Sequence, residues 1–242
     1  MSNEVIEKGQ TALVTPSQPQ RGFEGGIDRE DLIIPRAKLI QALSPELTEG
    51  LDGIKIGTII NSLTKEILPQ EFIPIFTFKN FIRFNPRSKD DPNFDTDFDP
   101  GGVIWKSSDP SDPKVKAEAC FGPNGEKPLA ITFINFFSYF PGVSMPIIVS
   151  FSKTGYKTGK NLLSLAKFCG GDMFARKYRL FSQMETNDVA TYAVLKVKPV
   201  GSVVPEEFQL CEQLWNEFSA KAAVIQVHDE EVQDDPSDKK PF

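Results

Sequence analysis

Apolar and polar positions alternate with the period of a β-strand through much of the first 150 residues. The segment FIPIFTFKNFIRF, residues 72–84, carries large apolar side chains on both faces of a predicted strand. A second aromatic run, Leu129–Phe140, ends at Pro141-Gly142, a pair typical of turns, and MPIIVSFS follows as its expected hairpin partner. The first part of the chain is therefore predicted to be strand-rich and built from hairpins.

Shorter runs predict the remaining strands. Pro35 argues against a continuous helix in DLIIPRAKLIQAL, so Ala37–Ala42 is interpreted as the first strand. The run GTIINSLTKEIL, residues 57–68, has two apolar stretches around a polar turn, as expected for a hairpin. A short strand is predicted at Val103–Lys106, and the clearest alternation lies in Ala190–Val200.

Helical spacing appears in the last third of the chain. Residues 160–183 space apolar side chains as in helices on either side of Gly170-Gly171, which predicts a helical pair. Residues 205–224 form the clearest helix, because Pro205 opens it, acids fill its first turn and one apolar stripe follows. Short strands with hairpin turns and a few helices predict an α+β fold containing a small β-barrel.

Polar and acidic segments divide the chain into three predicted regions. Residues 1–30 lack periodicity and are expected to form a disordered arm. Residues 31–225 form the predicted globular domain, interrupted at 88–113 by a loop rich in Asp, Pro and Gly. Residues 226–242 form an acidic C-terminal tail, which is also expected to be disordered.

Charge is distributed unevenly between these regions. The formal net charge is −6, whereas the last fifteen residues alone carry −4 and the loop at 88–113 carries −5. By contrast, the segment Phe151–Phe181 carries +6. A basic segment in an acidic protein favours a polyanionic partner such as a nucleic acid. The alternative for each charge run is a solvated surface.

Composition excludes several classes of site. His228 is the only histidine, so a histidine-based catalytic site or a multi-histidine metal site is not expected. Cys120, Cys169 and Cys211 form no CxxC pair, which argues against a zinc site and fits a reducing compartment. No apolar stretch is long enough to span a membrane, and the N-terminus lacks signal-peptide features. We therefore expect a cytoplasmic, non-enzymatic protein without a cofactor or bound metal.

Two motifs each match part of a known ligand-binding loop, one that binds phosphate and one that binds calcium. Residues 155–161, GYKTGKN, have three residues between the glycines where a Walker phosphate loop needs four, and Asn161 stands where that loop has Ser or Thr. The preferred interpretation is a basic loop at a helix start that holds a backbone phosphate. Asp95, Asp97 and Asp99 alternate as in a calcium loop, but the required Gly and Glu are missing, which indicates a mobile acidic loop.

Basic and aromatic residues interleave at two places, a combination used by proteins that bind single strands of nucleic acid. Cations follow the phosphates in such proteins, and rings stack on the bases. The first place is the aromatic strand, for which burial of the rings under a helix is the alternative, and the second is the +6 segment. The candidate nucleic-acid-binding residues are Phe78, Lys79, Phe81, Arg83, Arg87, Lys153, Tyr156, Lys157, Lys160, Arg176 and Lys177.

The acidic tail resembles a known class. Its acidic run closes in Pro241-Phe242, like the acidic C-terminal tip of bacterial and phage single-stranded-DNA-binding proteins of the oligonucleotide/oligosaccharide-binding (OB) barrel class. Lys239 and Lys240 depart from that pattern, because the corresponding positions of such tips are acidic. The resemblance implies that replication or recombination proteins dock on four tail residues, Asp234, Asp235, Asp238 and Phe242.

Two further segments, Ile33–Leu68 and Ser150–Leu165, are similar in residue style to phage-encoded proteins of replication or recombination gene clusters. Together these resemblances imply a phage single-stranded-DNA-binding protein with an OB-like Greek-key barrel, added helices, a long acidic loop and disordered termini. Two other classes stay open: a single-strand annealing recombinase that forms oligomeric rings, and a phage structural or interaction protein without a nucleic-acid role. The choice between DNA and RNA and the oligomeric state, including a homo-oligomer, also stay open.

Overall fold

The fold is organised around one antiparallel sheet and three helices. The computed structural model describes residues 33–188 and 190–220, together with the backbone at 226–227. The described strands are β1 (Ile33–Ile34), β2 (Ala37–Leu39), β3 (Ile59–Asn61), β4 (Glu71–Phe84), β5 (Val103–Ser107), β6 (Ile131–Tyr139), β7 (Ile147–Phe151), β8 (Arg176–Thr186), β9 (Thr191–Ser202) and β10 (Gln226–Val227). The described α-helices are α1 (Pro113–Glu118), α2 (Tyr156–Phe168) and α3 (Pro205–Phe218).

The central sheet has the strand order β7-β6-β4-β8-β9, and β5 also pairs with β4. All of these pairings are antiparallel. On the side away from β6, the long strand β4 pairs with β8 at Glu71 and Phe72 and with β5 from Phe81 onward. A register shift between Pro74 and Phe76 marks a bulge in β4, which increases its local twist. The predicted strand-rich first part and the β6–β7 hairpin are confirmed, whereas residues 57–68 keep a single bridge between Ile60 and Ile67, and β3 pairs with β2.

Residues 35–41 connect the two open edges of this sheet. At the β7 edge, the amide of Ile148 donates to the carbonyl of Pro35 (2.8 Å). At the β9 edge, the Gln41 side chain donates to the carbonyl of Ala193 (2.8 Å) and accepts from its amide (3.0 Å). The described strands do not close into a barrel by continuous pairing. The α+β class is therefore confirmed, whereas the OB-like barrel is not.

The inner face of the sheet packs against α2. Leu162 of α2 is buried in one cluster with side chains from β2, β4, β6, β7, β8 and β9. Because strands from both edges contribute to this inner cluster, the sheet curves around it. The helix lies close to β7 at Gly159, where an added Cβ would lie 2.7 Å from the Cβ of Phe151.

The outer face of the sheet packs against α3. Phe208, Leu214 and Phe218 of α3 contact an outer cluster of buried side chains, and the rings of Phe218 and Phe137 lie 5.2 Å apart. Cys211 is fully buried in this cluster, and burial raises the pKa of its thiol to about 12. The helix predicted from residue 205 onward is thus confirmed, and its apolar stripe covers the centre of the sheet.

The prediction of a second helix after Gly170-Gly171 is wrong. The first helix is confirmed as α2, but a strand, Arg176–Thr186, follows after a short 3-10 turn. The spacing of Phe174, Tyr178 and Phe181 imitates a helix. However, Tyr178 and Leu180 both lie in the inner cluster, two positions apart, as a strand requires. Pairing with β9 along the whole length of β8 satisfies its backbone, a contribution that local spacing does not reveal.

The acidic loop contains regular elements and a turn ordered around one amide, where a mobile loop was predicted. Asn85 is 1% exposed, and its side chain donates to the carbonyls of Asp95 and Phe98 (both 2.8 Å). The same side chain accepts from the amide of Asp95 (2.9 Å). The short strand predicted here is confirmed as β5, and α1 begins after Asp112, whose carboxylate accepts from the amide of Lys114 (2.9 Å).

The predicted arm at residues 1–30 and most of the predicted tail at 226–242 lie outside the described residues. The backbone of β10 pairs in parallel with β1, so Gln226 lies beside Ile33. The tail therefore starts close to the β7 edge of the sheet, to which residues 33–35 lead. Within residues 33–188 and 190–220, no helix is long and apolar enough to cross a membrane.

Candidate nucleic-acid interface

The first group of predicted binding residues lies on the second half of β4 and just beyond it. Lys79 is exposed and lies opposite Ile134 of β6, whose side chain belongs to the inner cluster. Arg87 is exposed after the end of the strand. Phe78 is half-buried on the outer face, where its ring lies 6.3 Å from that of Phe76. These three predicted residues keep some surface that a ligand can contact.

Two other members of this group are engaged within the fold. Phe81 is only 7% exposed, so its ring lies in the core rather than at the surface. Arg83 donates to Glu118 of α1 (2.9 Å), which also accepts from Nε1 of Trp105 on β5 (2.9 Å). This shared carboxylate holds β4, β5 and α1 together, which gives Arg83 a structural role.

The second group lies at the start of α2. Lys153 lies in a 3-10 turn with a φ of 44°, in the left-handed region, and Tyr156 begins the helix. Lys157 and Lys160 are exposed, and the Nζ of Lys160 lies 5.4 Å from the centre of the half-buried Tyr156 ring. The second glycine of the motif packs against β7. The segment is therefore a basic helix start and not the open glycine loop of a Walker motif.

The last two predicted residues, Arg176 and Lys177, open β8. Lys177 donates to Glu207 of α3 (2.9 Å) and lies 3.8 Å from Glu71 of β4. These ion pairs fasten α3 to the sheet. Arg176 is half-buried and close to Tyr178, whose pKa it influences.

The first group lies far from β8, although Lys79 is in register with Ile134 and Phe151, and the start of α2 packs on Phe151. β8 pairs with β4 only at Glu71 and Phe72, whereas Lys79 lies about 23 Å further along β4 at the usual rise per residue. By contrast, α2 and the 3-10 turn before it both contact β9. The lysines at the start of α2 therefore lie beside the β8–β9 hairpin.

The predicted binding residues did not include the outer face of this hairpin. The inward-pointing residues of β8 and β9 belong to the inner cluster, so their neighbours point outward. The register sets Arg179 opposite Lys198 and Phe181 opposite Lys196. The Nζ of Lys198 lies 5.8 Å from the centre of the Phe181 ring. The alternating lysines of β9 were the sequence signal for this surface. The ring beside them, Phe181, lies in the segment that was predicted to be helical.

Ion pairs already occupy part of the hairpin surface. Arg179 lies 3.6 Å from Glu71, and Lys196 donates to Glu185. Pairs at such partly exposed positions contribute little stability, so a polyanion can displace these carboxylates at small cost. We use the name basic–aromatic surface for two patches together, the start of α2 on the inner side of the sheet and the outer face of the hairpin, made up of Lys153, Tyr156, Lys157, Lys160, Arg179, Phe181, Lys196 and Lys198.

Other candidate sites have less support from the geometry. Among residues 33–188 and 190–220, no group of three or more His, Cys, Asp or Glu side chains is arranged to hold a metal ion. The predicted partner-binding residues of the tail lie outside the described residues, so they have no structural account: Asp234, Asp235, Asp238 and Phe242.

Comparison with protein families gives a match over most of the chain. A family model described as Pam3 phage gp34-like protein matches residues 6–224. The chain belongs to the Pam3 phage gp34-like family. It is therefore a phage protein, as the resemblances implied. The range that the Pam3 phage gp34-like family model matches includes the whole basic–aromatic surface, whereas the acidic tail follows that range. No curated protein and no solved structure matches the chain.

Proposed function

We propose that this phage protein binds single-stranded DNA without sequence preference and serves replication or recombination of phage DNA. The observation that carries the proposal is the outer face of the β8–β9 hairpin, where cations and rings alternate, together with a second set of lysines and a ring at the start of α2 on the inner side of the sheet. Proteins that bind single strands combine these two devices, a cationic track for the backbone and rings for the bases.

We also propose that the curved sheet is an open OB-like barrel. Counted along the chain from β4, with β5 set aside, the observed order β7-β6-β4-β8-β9 reads 3-2-1-4-5, and α2 lies between the third and fourth strands. This is the order of an unrolled OB barrel, a fold that is itself partly open. Residues 35–41 would bridge the remaining gap through their bonds to β7 and β9. The hairpin then corresponds to strands four and five, whose loop contacts oligonucleotides in OB folds.

In the proposed binding mode, phosphates contact the lysines at the start of α2 and the cations of the hairpin. Bases stack on the ring of Phe181, and Tyr156 provides a second ring beside Lys160. Glu71 and Glu185 give up Arg179 and Lys196 to phosphates, which offer the same acceptor chemistry. Each phosphate contact releases counterions, so affinity falls as salt rises.

The acidic tail would compete with DNA for this surface and recruit partner proteins. Its first residues are held beside β1, and the fifteen residues that follow can extend to about 50 Å. Every part of the basic–aromatic surface is thus within the reach of a tethered polyanion, which acts at a high effective concentration.

Fluorescence anisotropy with a labelled 30-nucleotide dT strand at about 50 mM salt tests the proposal. We expect binding at micromolar protein or below, weakened about tenfold when Lys196 and Lys198 are both replaced by Ala, because two phosphate contacts are lost. The matched control is the double variant Lys114→Ala, Lys116→Ala, which removes two exposed lysines from α1. Absence of binding by the wild type at micromolar protein would reject the proposal.

A further inference from the structure

The outer face of the sheet carries two amides and two phenyl rings in a checkerboard next to the area that α3 covers. Phe78 of β4 lies opposite Asn135 of β6, and Asn80 lies opposite Phe133. Positions two apart in a strand share a face, so all four side chains lie on the same face as Phe137, which stacks with α3. The arrangement places one amide beside each ring.

One of these amides has an unused hydrogen-bond donor. Asn135 is 2% exposed, and its Nδ2 has no hydrogen-bond partner. Its Oδ1 accepts from the Oγ of Ser150 on β7 (2.7 Å), which fixes the orientation of the amide. A buried donor without a partner costs stability, so folded proteins keep few of them. The donor is therefore a candidate for a ligand contact.

The two rings of the checkerboard are held in place but not fully covered. Phe78 is half-buried against the outer cluster. Phe133 is also half-buried, in an edge-to-face contact with Phe84 at 6.5 Å between ring centres. A ring that its neighbours already immobilise loses little entropy when it stacks on a ligand.

We infer that Phe78, Phe133 and Asn135 form a nucleobase subsite. A base stacks on one of the two rings and displaces the side chains that cover Asn135, so that an acceptor atom on the base edge takes the unused hydrogen bond from Nδ2 of Asn135. The inference rests on the proposed binding of single strands and extends it to a second surface. All four bases carry acceptor atoms on their edges and a stacking face, so the subsite tolerates any sequence.

The position of the subsite fits a strand that also contacts the hairpin. Arg179 lies opposite Glu71 on the outer face of the sheet, and Phe78 lies on the same face about 23 Å further along β4. Because α3 covers the sheet between these two places, a strand that contacts the cations at the hairpin and the rings at the subsite passes around α3. The sequence motif around Phe78 indicated stacking, whereas Asn135 and Phe133 emerge only from the β4–β6 register.

The test compares a 30-nucleotide dT strand with an abasic strand of the same length and charge. The wild type should bind dT at least tenfold more tightly, because the abasic strand loses stacking at the subsite and on Phe181 and Tyr156. The double variant Asn135→Leu, Ser150→Ala removes both partners of the buried hydrogen bond, a change that is nearly neutral for folding. The double variant and Phe78→Leu should each reduce the preference for dT about threefold or more, because the subsite no longer holds its base. Neither should change abasic affinity or its salt dependence.

Phe121→Leu is the matched control, because Phe121 is a 72% exposed ring on the loop between α1 and β6. It should keep the full preference for dT. A wild type without that preference, or folded variants that keep it, would overturn the subsite while strand binding stands. If the wild type binds neither strand, the proposed function fails and the subsite with it. Thermal melting checks that the variants are folded. If the double variant is unfolded, the result for Phe78→Leu alone decides the test.

Discussion

At the scale of single residues, two buried tyrosines differ in one hydrogen bond. Tyr178 is fully buried, its hydroxyl has no hydrogen-bond partner, and burial raises its pKa. The hydroxyl of Tyr139 bonds with the backbone of Gly142. We expect Tyr178→Phe to raise the free energy of unfolding by about 1 kcal/mol and Tyr139→Phe to lower it by a similar amount. Urea unfolding of both variants checks this, and equal losses would contradict it.

A buried carboxylate predicts the response of the fold to acid. Burial alone would raise the pKa of Glu46, but hydrogen bonds from Lys65 and Lys38 outweigh it and lower the pKa to about 2. The folded state therefore binds this proton less readily than the unfolded state. The resulting stability is fully present above about pH 5 and is lost as the pH falls towards 2.

We expect Glu46→Gln to lower the free energy of unfolding by about 3 kcal/mol at pH 7, because it leaves two lysines beside a neutral group. At pH 3 the difference from the wild type should be clearly smaller, since protonation then weakens the wild type too. Urea unfolding at the two pH values measures both differences. Glu49→Gln, at an exposed carboxylate nearby in the chain, is the control. A difference that is the same at both pH values would refute this account.

At the scale of elements, a glycine sets the distance between α2 and the sheet. An added Cβ at Gly159 would meet the Cβ of Phe151 at 2.7 Å, whereas one at Gly155 has its nearest contact at 3.8 Å. We expect Gly159→Ala to destabilise the fold by about 1–3 kcal/mol, despite the higher helix propensity of Ala. Gly155→Ala should be tolerated. Thermal unfolding distinguishes the two, and equal stability would mean that α2 does not need the close approach.

Local patterns in the sequence predicted most elements of the fold correctly but did not predict two of its features. The long strand β4, the β6–β7 hairpin, β9 and α3 follow from alternation, turn residues and helix-start signals that lie within each segment. β8 was mistaken for a helix because its pairing with β9, and not its own spacing, decides its structure. The ordered turn of the acidic loop depends on Asn85, a single amide with no local signature.

The candidate site was predictable only in part, for the same reason. The lysines at the start of α2 were identified from charge and a glycine motif; Lys157 and Lys160 are exposed, and Lys153 is half-buried. Phe81 and Arg83 carried the same kind of signal, yet one is buried and the other pairs with Glu118. The position of Phe181 beside Lys196 requires the register of two strands, which the sequence alone does not contain.

At the scale of the whole molecule, the acidic tail is expected to regulate access to the basic–aromatic surface. Deleting residues 229–242 removes six acids and two lysines and changes the formal net charge from −6 to −2. The truncated protein should bind single strands more tightly, most clearly at low salt, where charges are screened least. Phe242→Ala leaves the charge unchanged, so it should abolish capture of replication or recombination partners without changing DNA affinity. Unchanged partner capture would make the tail a solubilising segment.

The most direct test of single-strand binding is the salt dependence of affinity with and without the lysines at the start of α2. A plot of log affinity against log salt should be steep for the wild type. Replacing Lys153, Lys157 and Lys160 by Ala should reduce the magnitude of its slope by about 2, at roughly 0.7 for each phosphate contact. The folded triple variant should also bind more weakly at every salt concentration. An identical slope and affinity in the two proteins would contradict the assignment of this surface to DNA.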